Sequence, residues 1–256
     1  MGSTPAAVPG GSTPTLPASG EGLSESARLI NTFTAPSKTF QDINRKASWW
    51  VPWLIMSVFS VVFVVVAGQK VGFEKITTTQ MSSNPKQVER MEKLPPDQRE
   101  QNMALAVKIT QGISYATPLF ILLFGVIVAA VLMGTFNFGA GTQMKFGAAM
   151  AVTMYAFLPG IIKTILATVS LLAGADPDAF RIDNPIATNA GFFLSSTGHP
   201  ALYKLASSID VFTIWTLMLM VIGFTCISKA KKGTSAAIVI GWYVVVTLIG
   251  VGFAAM

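Results

Sequence analysis

Charge is what this sequence has least of. Asp, Glu, Lys and Arg together make up 12% of its 256 residues, where a soluble domain carries about 25%. That is too little to cover a water-facing surface, so ordinary soluble architecture is excluded. Disorder throughout and coiled coil are excluded as well, because both need polar sequence. A single cysteine, Cys226, rules out an intramolecular disulfide. A single histidine, His199, would have to carry any histidine-based metal site or Ser-His-Asp triad alone. There is no P-loop pattern, no HExxH and no CxxC. Gly139-Ala140-Gly141 opens like a dinucleotide loop, but Met144 stands where the third glycine belongs, and the stretch reads as a turn. No cofactor or metal is expected, and no enzyme activity.

Apolar residues fill the space that charge leaves: 52% of the chain, with a mean hydropathy of +0.57. They fall in five runs, at about 49–67, 116–138, 146–172, 211–228 and 234–254, each near the ~20 residues a helix needs to cross a bilayer. The expected fold is therefore all-α, a polytopic membrane bundle of five transmembrane helices. Trp49, Trp50 and Trp53 at the start of the first run fit an interfacial aromatic belt. Ahead of the runs, residues 1–22 are rich in Pro, Gly, Ser and Thr and carry no Lys or Arg; they read as a disordered tail. The membrane domain is then 23–256. Residues 23–48 are amphipathic, with Pro36 separating two short helices and Phe33 and Phe40 as candidate anchors. Two placements stand open, on the membrane surface or against the protein's own bundle.

Between the first two runs lies a long, charged, helical loop. Asn84-Pro85 reads as a helix start, Pro95-Pro96 as a stop, and a second helix from about Asp97 runs toward the next span. A packed cap and a solvated spacer both fit. The loop at about 174–208 is rich in Gly, Pro, Asn and Ser, and Gly191–Leu194 is a candidate for dipping back onto the membrane.

The net charge of +6 does not mark a nucleic-acid surface, because the Lys and Arg residues lie scattered between apolar runs. Arg45, Lys46, Lys145, Lys229, Lys231 and Lys232 instead share one side of a five-span chain. Basic residues next to spans favour the cytoplasm. The N-terminus is then cytoplasmic, the C-terminus outside, and the expected location a bacterial inner membrane.

One ionisable group falls inside a span. Lys163 shares a helix face with Tyr155 and Pro159, and Asp210 opens the fourth span on the same side of the membrane. The two form a candidate intramembrane pair. The alternatives are a lysine reaching to the headgroups and a transport site.

Several stretches resemble the Yip family, polytopic membrane proteins known as partners of Ypt/Rab GTPases. They are Phe33-x-x-Pro36-x-x-x-Phe40 before the tryptophans, the run Leu205-x-x-x-Ile209-Asp210-Val211-Phe212-Thr213-Ile214-Trp215, and the basic turn Lys229-Ala230-Lys231-Lys232 before a terminal span. The likeness extends over about residues 28–254, and the Leu94–Gln101 stretch is closer to bacterial members. It implies five spans, a cytoplasmic N-terminus, and a role in membrane organisation or trafficking with partner proteins. No residue carries over as a GTPase-binding position. Two functions are carried forward. One is a non-enzymatic scaffold that contacts the lipid bilayer and binds proteins through its N-terminal segment; the other is a small-solute or ion transporter using the Lys163 region.

Overall fold

The structure, a computed structural model, describes residues 22–255; the tail expected over 1–22 therefore lies almost wholly outside the described residues. The chain is helical, and among the described residues the only β-type pairing is an isolated antiparallel bridge between Asn189 and Asp210. Five helical stretches are long and apolar enough to cross a membrane: Trp50–Lys70, Thr117–Gly139, Phe146–Leu172, Val211–Ser228 and Lys232–Ala254. They match the five expected runs to within a few residues at each end.

Helices α1 (Glu25–Thr34) and α2 (Pro36–Arg45) form a hairpin. The Ser24 side chain caps α1 by accepting from the Ala27 N–H at 3.2 Å, with Glu25 in the first turn. Pro36 disfavours helical backbone at Ala35 and then starts α2 with its fixed φ. The first span is α3 (Trp50–Lys70). Gly72, at φ +86°, turns the chain into α4 (Phe73–Ser82), a backbone geometry that favours glycine.

Helix α4, α5 (Pro85–Glu92) and α6 (Pro96–Tyr115) make up the loop between spans one and two. The Asn84 side chain caps α5 through the Lys86 N–H at 3.1 Å. Helix α4 packs on α6, so the segment is a cap of three helices, one more than the sequence suggested.

Span two is α7 (Thr117–Gly134), which widens into a π turn over Thr135–Gly139. Asn137 closes the following turn: its Nδ2 donates to the Met144 carbonyl at 3.0 Å, and its Oδ1 accepts from Thr142 and the Met144 N–H, both at 2.9 Å. Span three is broken into α8 (Phe146–Ala156) and α9 (Pro159–Leu172). Pro159 has no N–H to give the Tyr155 carbonyl, which accepts from Leu158 at 3.2 Å instead. After α10 (Pro200–Ser208) come span four, α11 (Val211–Ser228), and span five, α12 (Lys232–Ala254).

One end of the bundle carries the start of α3 and the turns at 140–145 and 229–231; the other carries the α4–α6 cap and the 173–199 loop. Cap and loop are tied together by the Lys75–Asp178 ion pair and by Arg181, which donates to Ser83 Oγ at 3.3 Å. Ala67, Ile76, Leu171 and Phe180 form a small apolar cluster beneath them. The main core lies among α2, α7, α8 and α11, where Phe40, Phe136, Val152 and Phe224 are fully buried. Outward faces of α7 and α12 stay apolar and exposed, as lipid-facing surface should.

Candidate functional site

Helix α10 packs along α12, with Leu202 and Leu205 left exposed. The Tyr243 hydroxyl donates to the Ser208 carbonyl, and the Lys204 stem crosses Gly250, its Cε 3.1 Å from where a Cβ there would sit. Helix α10 therefore runs beside the last turns of α12 over about 10 Å, taking 1.5 Å per residue. The fourth crossing is in effect a broken helix, α10 then α11, interrupted at Ile209-Asp210. Backbone that leaves a helix at membrane depth must find partners inside the protein.

Asp210 provides them, and Lys163 meets it there. Lys163 Nζ lies 2.9 Å from Asp210 Oδ2. The same oxygen accepts from the Thr188 hydroxyl and from Asn189 Nδ2 at 3.2 Å. The other oxygen caps α11, accepting from the N–H of Phe212 at 2.9 Å and of Thr213 at 3.4 Å. Asn184 and Asn189 exchange side-chain hydrogen bonds at 3.1 and 2.8 Å, which pins the 184–194 segment beside the break. The Asp210 side chain is 2% exposed and that of Lys163 27%. The bonds from Thr188, Lys163 and Asn189 offset the cost of burying this charge. Every lone-pair direction of this carboxylate has a use, and its chemistry here is to hold three segments together: α9, the 184–194 segment and the start of α11. In the Gly191–Leu194 stretch, a candidate for dipping back onto the membrane, Phe193 ends the short 3-10 turn Ala190–Phe193 and is 79% exposed.

A second charge cluster lies in the N-terminal hairpin. Arg28 is 1% exposed. Its Nε donates to Asp42 Oδ2 at 2.7 Å, its Nη1 to Glu25 at 3.2 Å and its Nη2 to the Lys46 carbonyl at 3.0 Å. Burial pulls its pKa down, but the hydrogen bond and charge of Asp42, with Glu25 behind, more than restore it, and the guanidinium sits above its ordinary value. The Arg28 carbonyl accepts from Thr32 at 2.8 Å and Thr39 at 2.9 Å, locking α1 to α2. Glu25 completes the docking by accepting from the Tyr155 hydroxyl of span three at 2.6 Å.

The two expected anchors are placed differently. Phe40 is not on a membrane surface: it is fully buried, held by α2 against Val152 and against α11 at Gly223, where an added Cβ would collide with Val152 and reach 3.1 Å from the Phe40 ring. The apolar face of α2 is taken up by the bundle. Phe33 is 37% exposed, its ring edge-on to Trp215 at 5.6 Å.

A family model described as Yip1 domain matches residues 30–254. The chain belongs to the Yip family. No curated protein and no solved structure matches it significantly. Within this Yip-family chain the match begins inside α1 and ends at the last residue of α12, so it takes in most of the hairpin, the cap and the five spans. Reasoning from the sequence brought Lys163 and Asp210 together but missed Thr188, Asn184 and Asn189, which lie in a loop with no periodicity to mark it. It also missed Arg28. Periodicity pointed the other way, because Arg28 lies on the side of α1 opposite Ile30 and Phe33, which are exposed, and shares the buried face with Thr32.

Proposed function

We propose that this Yip-family protein is a non-enzymatic membrane scaffold that organises partner proteins, with the α1–α2 hairpin and its neighbouring spans as the partner-facing surface. One observation carries the reading: the buried charges of the two clusters are engaged in holding helices together, Asp210 by five donors and Arg28 by three acceptors. A group so fully engaged is poorly suited to proton transfer or nucleophilic attack. The hairpin supports the partner role because it is built into the domain rather than tethered to it, and Lys38 and Gln41 face outward from α2. The basic juxtamembrane residues support a cytoplasmic side for this end, and the reading takes the membrane to be a bacterial inner membrane.

The transport alternative keeps one supporting feature, an ion pair at a helix break, which is where transporters place their sites. Against it, the cavity of about 500 Å³ between spans one to four is lined by Ser60, Thr117, Thr164 and Thr216 and not by Lys163.

The two readings separate in one comparison. The intact protein is captured from native membranes as wild type, as Lys38→Glu and as Lys163→Met, and the three are reconstituted in liposomes for flux measurements. The scaffold reading expects a partner retained by wild type and Lys163→Met and lost from Lys38→Glu. Solute or ion flux abolished by Lys163→Met, with no partner sensitive to Lys38, would overturn it.

A further inference from the structure

At the cap end of the bundle, a cleft of about 970 Å³ opens between α5, the 181–199 loop, α10 and the end of α12. Its charged lining is one-sided. Lys86, Arg181 and Lys204 face it, with Asp183 as the one carboxylate. That carboxylate is already engaged: Asp183 Oδ2 accepts from Arg181 Nη2 at 3.1 Å and from the Tyr203 hydroxyl at 2.8 Å. Arg181 is fixed in place as well. It donates to Ser196 Oγ at 2.6 Å, and its guanidinium lies 5.0 Å over the Tyr203 ring. Lys86 and Lys204 are exposed, and among the described residues neither has an acid within ion-pair distance. A rigid guanidinium flanked by two unneutralised ammonium groups is complementary to a phosphate-type anion.

The position of the cleft says which kind of phosphate. One wall is Phe253, 73% exposed in the last turn of α12, and another is Leu202, 51% exposed on α10. From Phe253 the outward face of α12 continues through Ile249, Val246 and Val245, all exposed, so the cationic cleft opens onto an apolar strip running down the span. Lys204, laid across Gly250, holds its charge within the last two turns of that helix. Gly250 is four residues, about 6 Å, from the end of α12, a helix of 23 residues and about 34 Å against a ~30 Å hydrocarbon core, so the Lys204 ammonium lies near the boundary between hydrocarbon and headgroups.

We propose that the cleft binds one anionic glycerophospholipid, its phosphate between Lys86, Arg181 and Lys204 and an acyl chain along the Phe253–Ile249 face of α12. The lipid would join cap, loop and terminal span at the one place where all three meet.

The test is thermal unfolding of the full chain in neutral detergent, titrated with dioctanoyl phosphatidylglycerol, dioctanoyl phosphatidylcholine or glycerol 3-phosphate. Phosphatidylglycerol is expected to raise the unfolding temperature saturably, and the other two to do so far less. The variant Lys86→Gln/Lys204→Gln should bind phosphatidylglycerol roughly thirtyfold more weakly, from about 1 kcal/mol lost for each of the two basic residues near an anionic headgroup. A control that removes the same charge on the same side away from the cleft, Lys93→Gln/Lys108→Gln, should bind like wild type. Equal stabilisation by phosphatidylcholine would overturn the proposal, and so would equal weakening in cleft and control variants. Glycerol 3-phosphate matching the lipid would overturn the lipid assignment and leave a soluble phosphate ester as the ligand.

Discussion

At Asp210 one carboxylate caps α11, accepts Lys163 and fixes the 184–194 segment, so its three contributions can be separated by substitution. Asparagine is as good an N-cap as aspartate, and Asp210→Asn should keep the cap while removing the charge. Lys163→Met should cost about 1.5–3 kcal/mol, the usual range for a hydrogen bond to a charged group. Because Lys163 is partly exposed, the lower half of that range is expected. The double variant should recover part of the summed loss, giving a coupling of roughly 0.5–3 kcal/mol between contacting groups. Thermal unfolding of the four proteins in one detergent measures it, and strictly additive losses would mean that the 2.9 Å contact contributes nothing.

Two elements depart from regular packing, each through a glycine or a buried charge. At Gly223 the missing side chain is what lets Phe40 enter between α8 and α11. Gly223→Val should expel Phe40 and loosen α2, at a cost of about 1–3 kcal/mol as for other overpacked cores. Proteolysis at the hairpin is a direct readout: faster cleavage within 23–48 is expected, with the spans still protected. Arg28→Met should be more severe, about 3–5 kcal/mol, because it leaves Asp42 buried without its partner. A Tyr155→Phe change removes only the bond to Glu25 and should cost about 1 kcal/mol.

These elements also show where sequence reasoning reaches. Span positions were legible because uncharged runs of this length have few alternatives. The hairpin was legible as two helices, since its apolar residues fall at helical spacing and Pro36 interrupts them. Its docking was not, because amphipathicity gives a helix an apolar face without saying whether lipid or protein covers it. Pro159 and Lys163 mark a special stretch of span three, and Asp210 was identifiable as the nearby acid. The broken fourth crossing was hidden: α10 is only nine residues long, too short to read as part of a span. Its place beside α12 depends on Tyr243 and Gly250, forty residues away in the chain.

At the scale of the whole molecule, an alternation of five crossings sets the hairpin and the basic turns on one side of the bilayer and the α4–α6 cap with the lipid cleft on the other. The scaffold reading depends on this arrangement, since a hairpin that meets cytosolic partners must face the cytoplasm. The most direct measurement uses single cysteines in a Cys226→Ser background, at Asn44 beside the hairpin and at Lys93 in the cap, both exposed. A membrane-impermeant maleimide is applied to intact cells and then to lysed ones. The account predicts labelling at position 93 in intact cells and at position 44 only after lysis. Labelling at position 44 in intact cells, or protection of both positions until lysis, would contradict it.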